Sequence, residues 1–264
     1  MTNIIAVVNQ KGGVGKTTTT VSVASILHDL YEKKILVIDI DPQANATSGL
    51  GIDKGDLENC IYNVLIGDLT AKEIMRKGSR EIGPDVLPAS IQLAGAEIEL
   101  VGELSRENKL KRSLRSLEEN YDLILIDCPP SLGLLTINAL TASTHVLVPL
   151  QCEYFALEGL SQLLNTIKLV QVDLNPNITI LGILLTMANH RTNLTSQIIE
   201  EAREYFPEHV FETIISRNVK VSEAPSHGTP INRYDPRATG SIHYTQFTQE
   251  LLECLHQKEH LVAV

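Results

Sequence analysis

Short runs of valine, isoleucine and leucine recur along the chain at 4–8, 35–40, 123–126, 145–150 and 178–186. Each has strand length and is apolar without alternation, the pattern of a strand buried on both faces. Between them, residues 17–30, 106–119, 134–142, 157–172 and 195–206 carry apolar side chains at three- and four-residue spacing. That spacing predicts helices with one face turned inward. A last helix is expected near 244–256, with Phe247, Leu251, Leu252 and Leu255 on one side. Strands alternating with helices predict an α/β fold with a mostly parallel β-sheet and helices on both faces. No repeat or Pro/Gly-rich linker divides the chain, so residues 1–264 are expected to form a single domain. The stretch 49–96 is less regular and reads as an excursion at the strand ends, where such folds place their sites.

Composition narrows the classes. The 264 residues include 22 Lys and Arg against 32 Asp and Glu, a formal net charge of −10. With 43% hydrophobic and 20% charged residues, the chain is neither disordered nor collagen-like nor a disulfide mini-protein. Coating nucleic acid by bulk positive charge is also excluded. Any such contact must come from a local patch. Cys60, Cys128, Cys152 and Cys254 are widely spaced and form no Cys-x-x-Cys pair, which fits thiols in a reducing compartment. The start of the chain lacks the basic lead-in and cleavage site of a signal peptide. The longest apolar run, 178–187, is too short to cross a bilayer. A cytoplasmic location follows as the expectation.

The chemistry begins directly after the first predicted strand, at Asn9-Gln10-Lys11-Gly12-Gly13-Val14-Gly15-Lys16-Thr17-Thr18. A glycine-rich loop between a strand and a helix wraps phosphates. Gly12, Gly13 and Gly15 permit the tight backbone that turns successive N–H groups, Val14 among them, toward oxygens. The start of the next helix, at Thr17 and Thr18, adds partial positive charge. Lys16 is placed to neutralise β and γ phosphates, and Thr17 to offer its hydroxyl to Mg²⁺. These features predict a P-loop NTPase.

Two carboxylate segments complete the expectation. Asp39 and Asp41 close the run 35–40, and a two-residue period points them to the same side. Asp127 closes the run 123–126. An aspartate after an apolar strand is the arrangement that reaches Mg²⁺ beside a phosphate loop.

One departure is diagnostic. Gln10 stands where the ordinary GxxxxGK[ST] pattern has glycine, and a second lysine, Lys11, precedes Gly12. This deviant Walker A motif resembles the MinD/ParA class of P-loop ATPases. Longer strings are similar to the chromosomal ParA/Soj-type partition ATPases, from Gln43-Ala-Asn-Ala-Thr-Ser-Gly-Leu-Gly51 through Gln151-Cys-Glu-Tyr-Phe-Ala-Leu-Glu-Gly-Leu160 to Arg217-Asn-Val-Lys-Val-Ser-Glu-Ala-Pro-Ser-His-Gly228. The likeness runs from the first strand almost to the last helix.

The resemblance implies a mechanism. ATP and Mg²⁺ drive a sandwich homodimer in which Lys11 reaches the partner's phosphates. Asp127 supports the metal, and Asp41 positions the attacking water. The dimer binds double-stranded DNA without sequence preference, on the nucleoid. A ParB-type centromere-binding protein stimulates an ATPase that is weak alone. DNA contact falls to Arg191, Lys220 and Arg217, with Arg233 and Arg237 available to extend the patch. Position 220 is arginine in such relatives, and lysine keeps the charge but loses the planar fork. The Arg217-Asn218 loop is expected to border the adenine, with Asn218 as the contact.

Alternatives are weaker. A MinD-like, membrane-associated regulator of cell division ends in a basic amphipathic helix, whereas this tail carries Glu250, Glu253 and Glu259 against Lys258. Anionic lipid would repel it, so no membrane partner is expected. A nitrogenase-reductase type would need Cys128 and Cys152 to converge, and the surrounding strings do not match. The basic run Arg106, Lys109, Lys111, Arg112 and Arg115 reads as a solvated helix face rather than a DNA surface.

Overall fold

The computed structural model describes residues 2–78, 83–153, 156–189 and 192–262, without the side chains of 156–158 and 259–262. The elements in chain order are β1 (Asn3–Val7), α1 (Lys16–Tyr31), β2 (Ile35–Asp39), α2 (Asn45–Gly49), α3 (Ile61–Ile66), α4 (Ala71–Ile74), β3 (Asp85–Leu87), α5 (Leu93–Glu99), α6 (Lys109–Leu114), β4 (Leu123–Asp127), α7 (Leu134–Ala142), β5 (His145–Gln151), α8 (Ala156–Asp173), β6 (Thr179–Thr186), α9 (Asn193–Tyr205), α10 (Val219–Glu223), α11 (Ile231–Tyr234) and α12 (Thr239–Val262).

Six strands form one parallel sheet in the order β3-β2-β4-β1-β5-β6. The period-2 geometry of a strand sorts its residues between the two faces. Ile4, Ala6, Ile38, Ile126 and Val148 face one core, which α3, α5, α6, α7 and α8 cover. Ile5, Val7, Val37, Leu125 and Leu147 face the other, covered by α1 and α12. Because both faces are apolar, the strands read as unbroken hydrophobic runs.

Each of the five expected strands is present, and β3 is an addition. It has three residues and sits at the sheet edge, too short for a periodic signal. The expected helix 106–119 is broken: α6 spans only Lys109–Leu114, between single turns of 3₁₀-helix at Arg106–Asn108 and Glu118–Asn120. Buried Asn138 explains the first break. Its Oδ1 accepts the Leu110 N–H at 3.1 Å while its Nδ2 donates to the Arg106 carbonyl at 2.9 Å. Backbone groups that a continuous helix would pair internally are thereby taken by a side chain from α7.

The last helix begins earlier and ends later than its sequence pattern. Phe247, Leu251 and Leu255 are buried as expected, and Tyr244 joins them. Phe247 meets Phe211 edge-on, with ring centroids 5.0 Å apart. No helix among the described residues is long and apolar enough to cross a membrane.

Candidate active site

The phosphate loop lies between β1 and α1, at the carboxyl edge of the sheet. The chain passes from β1 to β2 on one side of β1 and later from β4 across β1 to β5 on its other side. A crevice at such a switch point is where open α/β sheets bind ligands. Buried Asn9 shapes the loop: Nδ2 donates to the Pro149 carbonyl at 2.8 Å, and Oδ1 accepts the Lys11 N–H at 3.0 Å. Gly13 and Gly15 have φ of 73° and 92°, a region costly for any residue with a Cβ. Gly15 is also the residue from which α1 starts. The Thr186 hydroxyl, at the end of β6, donates to the Val14 carbonyl at 2.8 Å. Gln10, which replaces the usual glycine, turns away from the loop. Its Nε2 donates to the Gly159 carbonyl at 3.2 Å and to Gln162 Oε1 at 3.1 Å on α8.

The charged groups converge as the sequence predicts. Lys16 is only 6% exposed, and its Nζ donates to the Lys11 carbonyl at 3.0 Å. Burial lowers its pKa from the usual lysine value, opposed chiefly by the charge of Asp127. The Thr17 hydroxyl donates to Asp127 Oδ2 at 2.7 Å, and Thr20 to Oδ1 at 3.3 Å. Val7, Asp127 and Asp39 stand level across β1, β4 and β2. Two buried carboxylates therefore end adjacent strands. Burial, and next the charge of Asp39, push Asp127 well above the usual carboxylate range. Asp39 is pushed up to about 6, first by burial, against the hydrogen bonds from Thr47.

Asp39 and Asp41 lie close together at the end of β2. The chain leaves the sheet after Asp39, and the Asp41 N–H turns back onto Asp39 Oδ1 at 3.1 Å. Asp39 is wholly buried in hydrogen bonds, and Asp41, also buried at 6% exposure, has its Oδ1 accepting the Gln43 N–H at 2.9 Å. Both Asp41 and Asp127 act on Lys16 electrostatically.

Lys11 does not fold over its own loop. Its Nζ pairs with Glu153 Oε2 at 2.7 Å, and the two side chains are 43% and 51% exposed. Glu153 Oε1 also accepts from Gln151 Nε2 at 2.6 Å.

Two cavities flank the loop. One of about 560 Å³ is lined by Asn9, Lys11, Val14, Pro130 and Gln151. The other, about 410 Å³, has an uncharged wall that includes Thr17, Thr18, Asn45, Val221 and Pro225. Sequence reading missed Asn45, Val221 and Pro225, because they come from segments distant in the chain. A larger hollow of about 1040 Å³, lined by Lys33, Lys77 and Tyr121, is at the opposite end of the sheet and takes no part in this arrangement.

The predicted basic patch is only partly assembled. Arg191 lies outside the described residues. Arg217 and Lys220 are exposed. Lys220 pairs with Glu223 at 2.8 Å and lies 5.9 Å from the centre of the Tyr234 ring. Asn218 is the cap of α10, its Oδ1 accepting N–H groups of Lys220 and Val221 at 2.9 and 3.3 Å. Arg237 is exposed. Arg233 is not available to the patch: its Nε and Nη2 grip Asp29 of α1 at 2.7 and 2.6 Å. In the second basic run, Lys109 pairs with Glu103 and Arg106 with Glu107.

The donor set fits magnesium. A hydroxyl and one carboxylate beside a phosphate-binding loop match a small cation that keeps oxygen ligands from substrate and water.

Comparison with known proteins gives the family. An AAA-domain family model matches residues 2–180. The sporulation initiation inhibitor protein Soj of Bacillus subtilis (strain 168) is 58% identical over 251 residues, covering 95% of this chain and 98% of that protein. The chromosome partitioning protein ParA of Myxococcus xanthus (strain DK1622) is 50% identical, covering 95% and 88%. Among solved structures, a Mycobacterium smegmatis protein described as cobyrinic acid a,c-diamide synthase, with bound ADP and magnesium, superposes with a TM-score of 0.83. It is 38% identical, and the match covers 96% of this chain and 94% of that one. With the deviant phosphate loop assembled against Asp127 and these relatives matched along almost their full lengths, the chain belongs to the ParA/Soj family of chromosome-partitioning P-loop ATPases.

Proposed function

We propose that this ATPase is a nucleotide-gated DNA-binding switch for chromosome or plasmid segregation. ATP and Mg²⁺ lie between two subunits. Gly12 to Thr18 cradle the phosphates, Lys16 neutralises them, and Thr17 with Asp127 would hold the metal. A magnesium ion held by these residues would supply Lewis-acid stabilisation of the phosphate charge. Asp41 orients the attacking water. The uncharged cavity beside Thr18 has room for the nucleoside, and Asn218, by capping α10, fixes the segment that carries Val221 and Pro225.

The observation that carries the dimer is Lys11. Its ammonium projects to the rim of the crevice, away from its own phosphate site. Its exposed ion pair with Glu153 is worth only ~0–1 kcal/mol, so a partner's triphosphate can displace it with little loss. Hydrolysis then depends on both subunits, which makes the enzyme weak alone.

Dimerisation also reconciles a charge of −10 with DNA. Arg191, Arg217 and Lys220 contact phosphates, and pairing two subunits doubles the patch. Phosphate contact needs charge rather than a fork, so lysine at 220 suffices. A ParB-type partner stimulates hydrolysis, and the acidic subunits then separate and leave the DNA. The protein thus divides its time between cytoplasm and nucleoid.

An electrophoretic shift on unrelated duplex DNA tests the switch. Binding is expected with ATP or a slowly hydrolysed analogue, not with ADP, and it should weaken steeply with salt. Equal binding with ADP and ATP would refute nucleotide gating.

A further inference from the structure

One buried carboxylate has no part in the mechanism above. Asp39 ends β2, is fully buried, and uses both oxygens. Oδ1 accepts the Asp41 N–H at 3.1 Å. Oδ2 accepts both the N–H and the hydroxyl of Thr47, each at 2.8 Å. The hydroxyl donates because an ionised carboxylate can only accept, and Thr47 Oγ1 in turn accepts the Ala89 N–H at 3.0 Å. Asp39 therefore faces three donors and joins the Asp41 turn, α2 and the segment after β3. Only an acceptor at both oxygens can do this.

We propose that Asp39 is a positioning residue for hydrolysis: it fixes the Asp41 turn and α2 to the end of β2, so that the Asp41 carboxylate is held in one position. This rests on the reading of Asp41 as the water-positioning group. Asparagine at 39 has the same shape but must present its NH₂ to one set of donors. The hold on Asp41 or on Thr47 then fails, while no hydrogen bond of the phosphate loop or of Lys16 is lost.

The test is a double-mutant cycle on the full chain, with Asp39→Asn, Asp41→Asn and the double variant. The readouts are kcat and KM for ATP, with Tm to report folding. Asp39→Asn should lower kcat by about tenfold or more and leave KM within about twofold. In the Asp41→Asn background it should have no further effect on kcat. Thr47→Val, which removes one donor to Asp39, should lower kcat more than Thr47→Ser, which keeps the hydroxyl. These two keep the proposal open to refutation if Asp39→Asn does not fold. The proposal is overturned if Asp39→Asn leaves kcat within twofold, or if the two losses multiply in the double variant. Equal kcat in Thr47→Val and Thr47→Ser also overturns it. The two possible failures differ: normal hydrolysis by Asp41→Asn removes the role of Asp41 and this proposal with it. Slow Asp41→Asn beside normal Asp39→Asn removes this proposal alone.

Discussion

At the scale of single residues, the proposed mechanism rests on two buried carboxylates with different partners. Asp127 is buried against the Thr17 hydroxyl, where it gains most from a cation. Asp41 is buried too, but it lies beyond the end of β2, near Lys16, and is the carboxylate proposed to act on water. Their loss should therefore differ in kind. Asp41→Ala is expected to keep ATP affinity and slow hydrolysis by about 10²-fold or more, the usual size of a lost acid–base or water-orienting group. Lys16→Ala should instead abolish nucleotide binding, since the loop loses its enclosed cation. Titration with a fluorescent nucleotide, beside single-turnover hydrolysis, distinguishes the two.

The loop residues and Asp127 were legible in the sequence because their spacing is local and the strand-to-helix context is short. Glu153, Thr186 and Gln162 were not. They meet Lys11, Val14 and Gln10 across more than 140 positions of chain, which no spacing rule anticipates. The bonds from Asp39 to Thr47 were hidden for the same reason, since α2 returns to the strand end only in space.

At the scale of elements, the fold shows how side chains override local pattern. Residues 106–119 have a helical period, yet Asn138 divides them. Arg233 looked like part of a basic surface, yet it clasps α11 to the end of α1. In that clasp burial alone would raise the Asp29 pKa. The hydrogen bonds from Arg233 and His28 outweigh it and hold the carboxyl at about 2. The sign of the linkage follows. A carboxylate depressed from an unfolded value near 3.9 contributes stability that is fully present above about pH 4. It is lost as pH falls toward 2. Asp29→Asn should cost about 1–2 kcal/mol at pH 7, discounted for the partial exposure of the site. That corresponds to a Tm lower by roughly 2–8 °C. The gap between variant and parent should narrow as pH falls from about 4 to 2. Thermal unfolding across that range checks it, and a gap that is constant with pH would argue against the clasp.

At the scale of the whole molecule, the disposition of α12 separates the partition reading from a membrane one. An amphipathic helix binds lipid through a free apolar face. Here Tyr244, Phe247, Leu251 and Leu255 are spent on the core. The protein is therefore expected not to co-sediment with anionic vesicles, with or without ATP. The proposed DNA patch was legible only as a local excess of basic residues, because which of them face solvent depends on their acidic neighbours in space. Lys220→Glu and Arg191→Glu should each leave ATP-driven dimerisation intact and weaken DNA binding uniformly across sequences. Each should reduce the salt slope by roughly two phosphate contacts per dimer. Sequence-dependent loss would contradict a purely phosphate-reading patch.

The dependence of assembly on both ATP and Lys11 is best measured by the mass of the Asp41→Ala protein in sedimentation, with Mg-ATP and with Mg-ADP. A species of twice the 29.1 kDa subunit mass is expected with ATP alone, and it should revert to the monomer when Lys11→Ala is added. A monomer in ATP, or a dimer indifferent to nucleotide or to Lys11, would contradict the nucleotide sandwich.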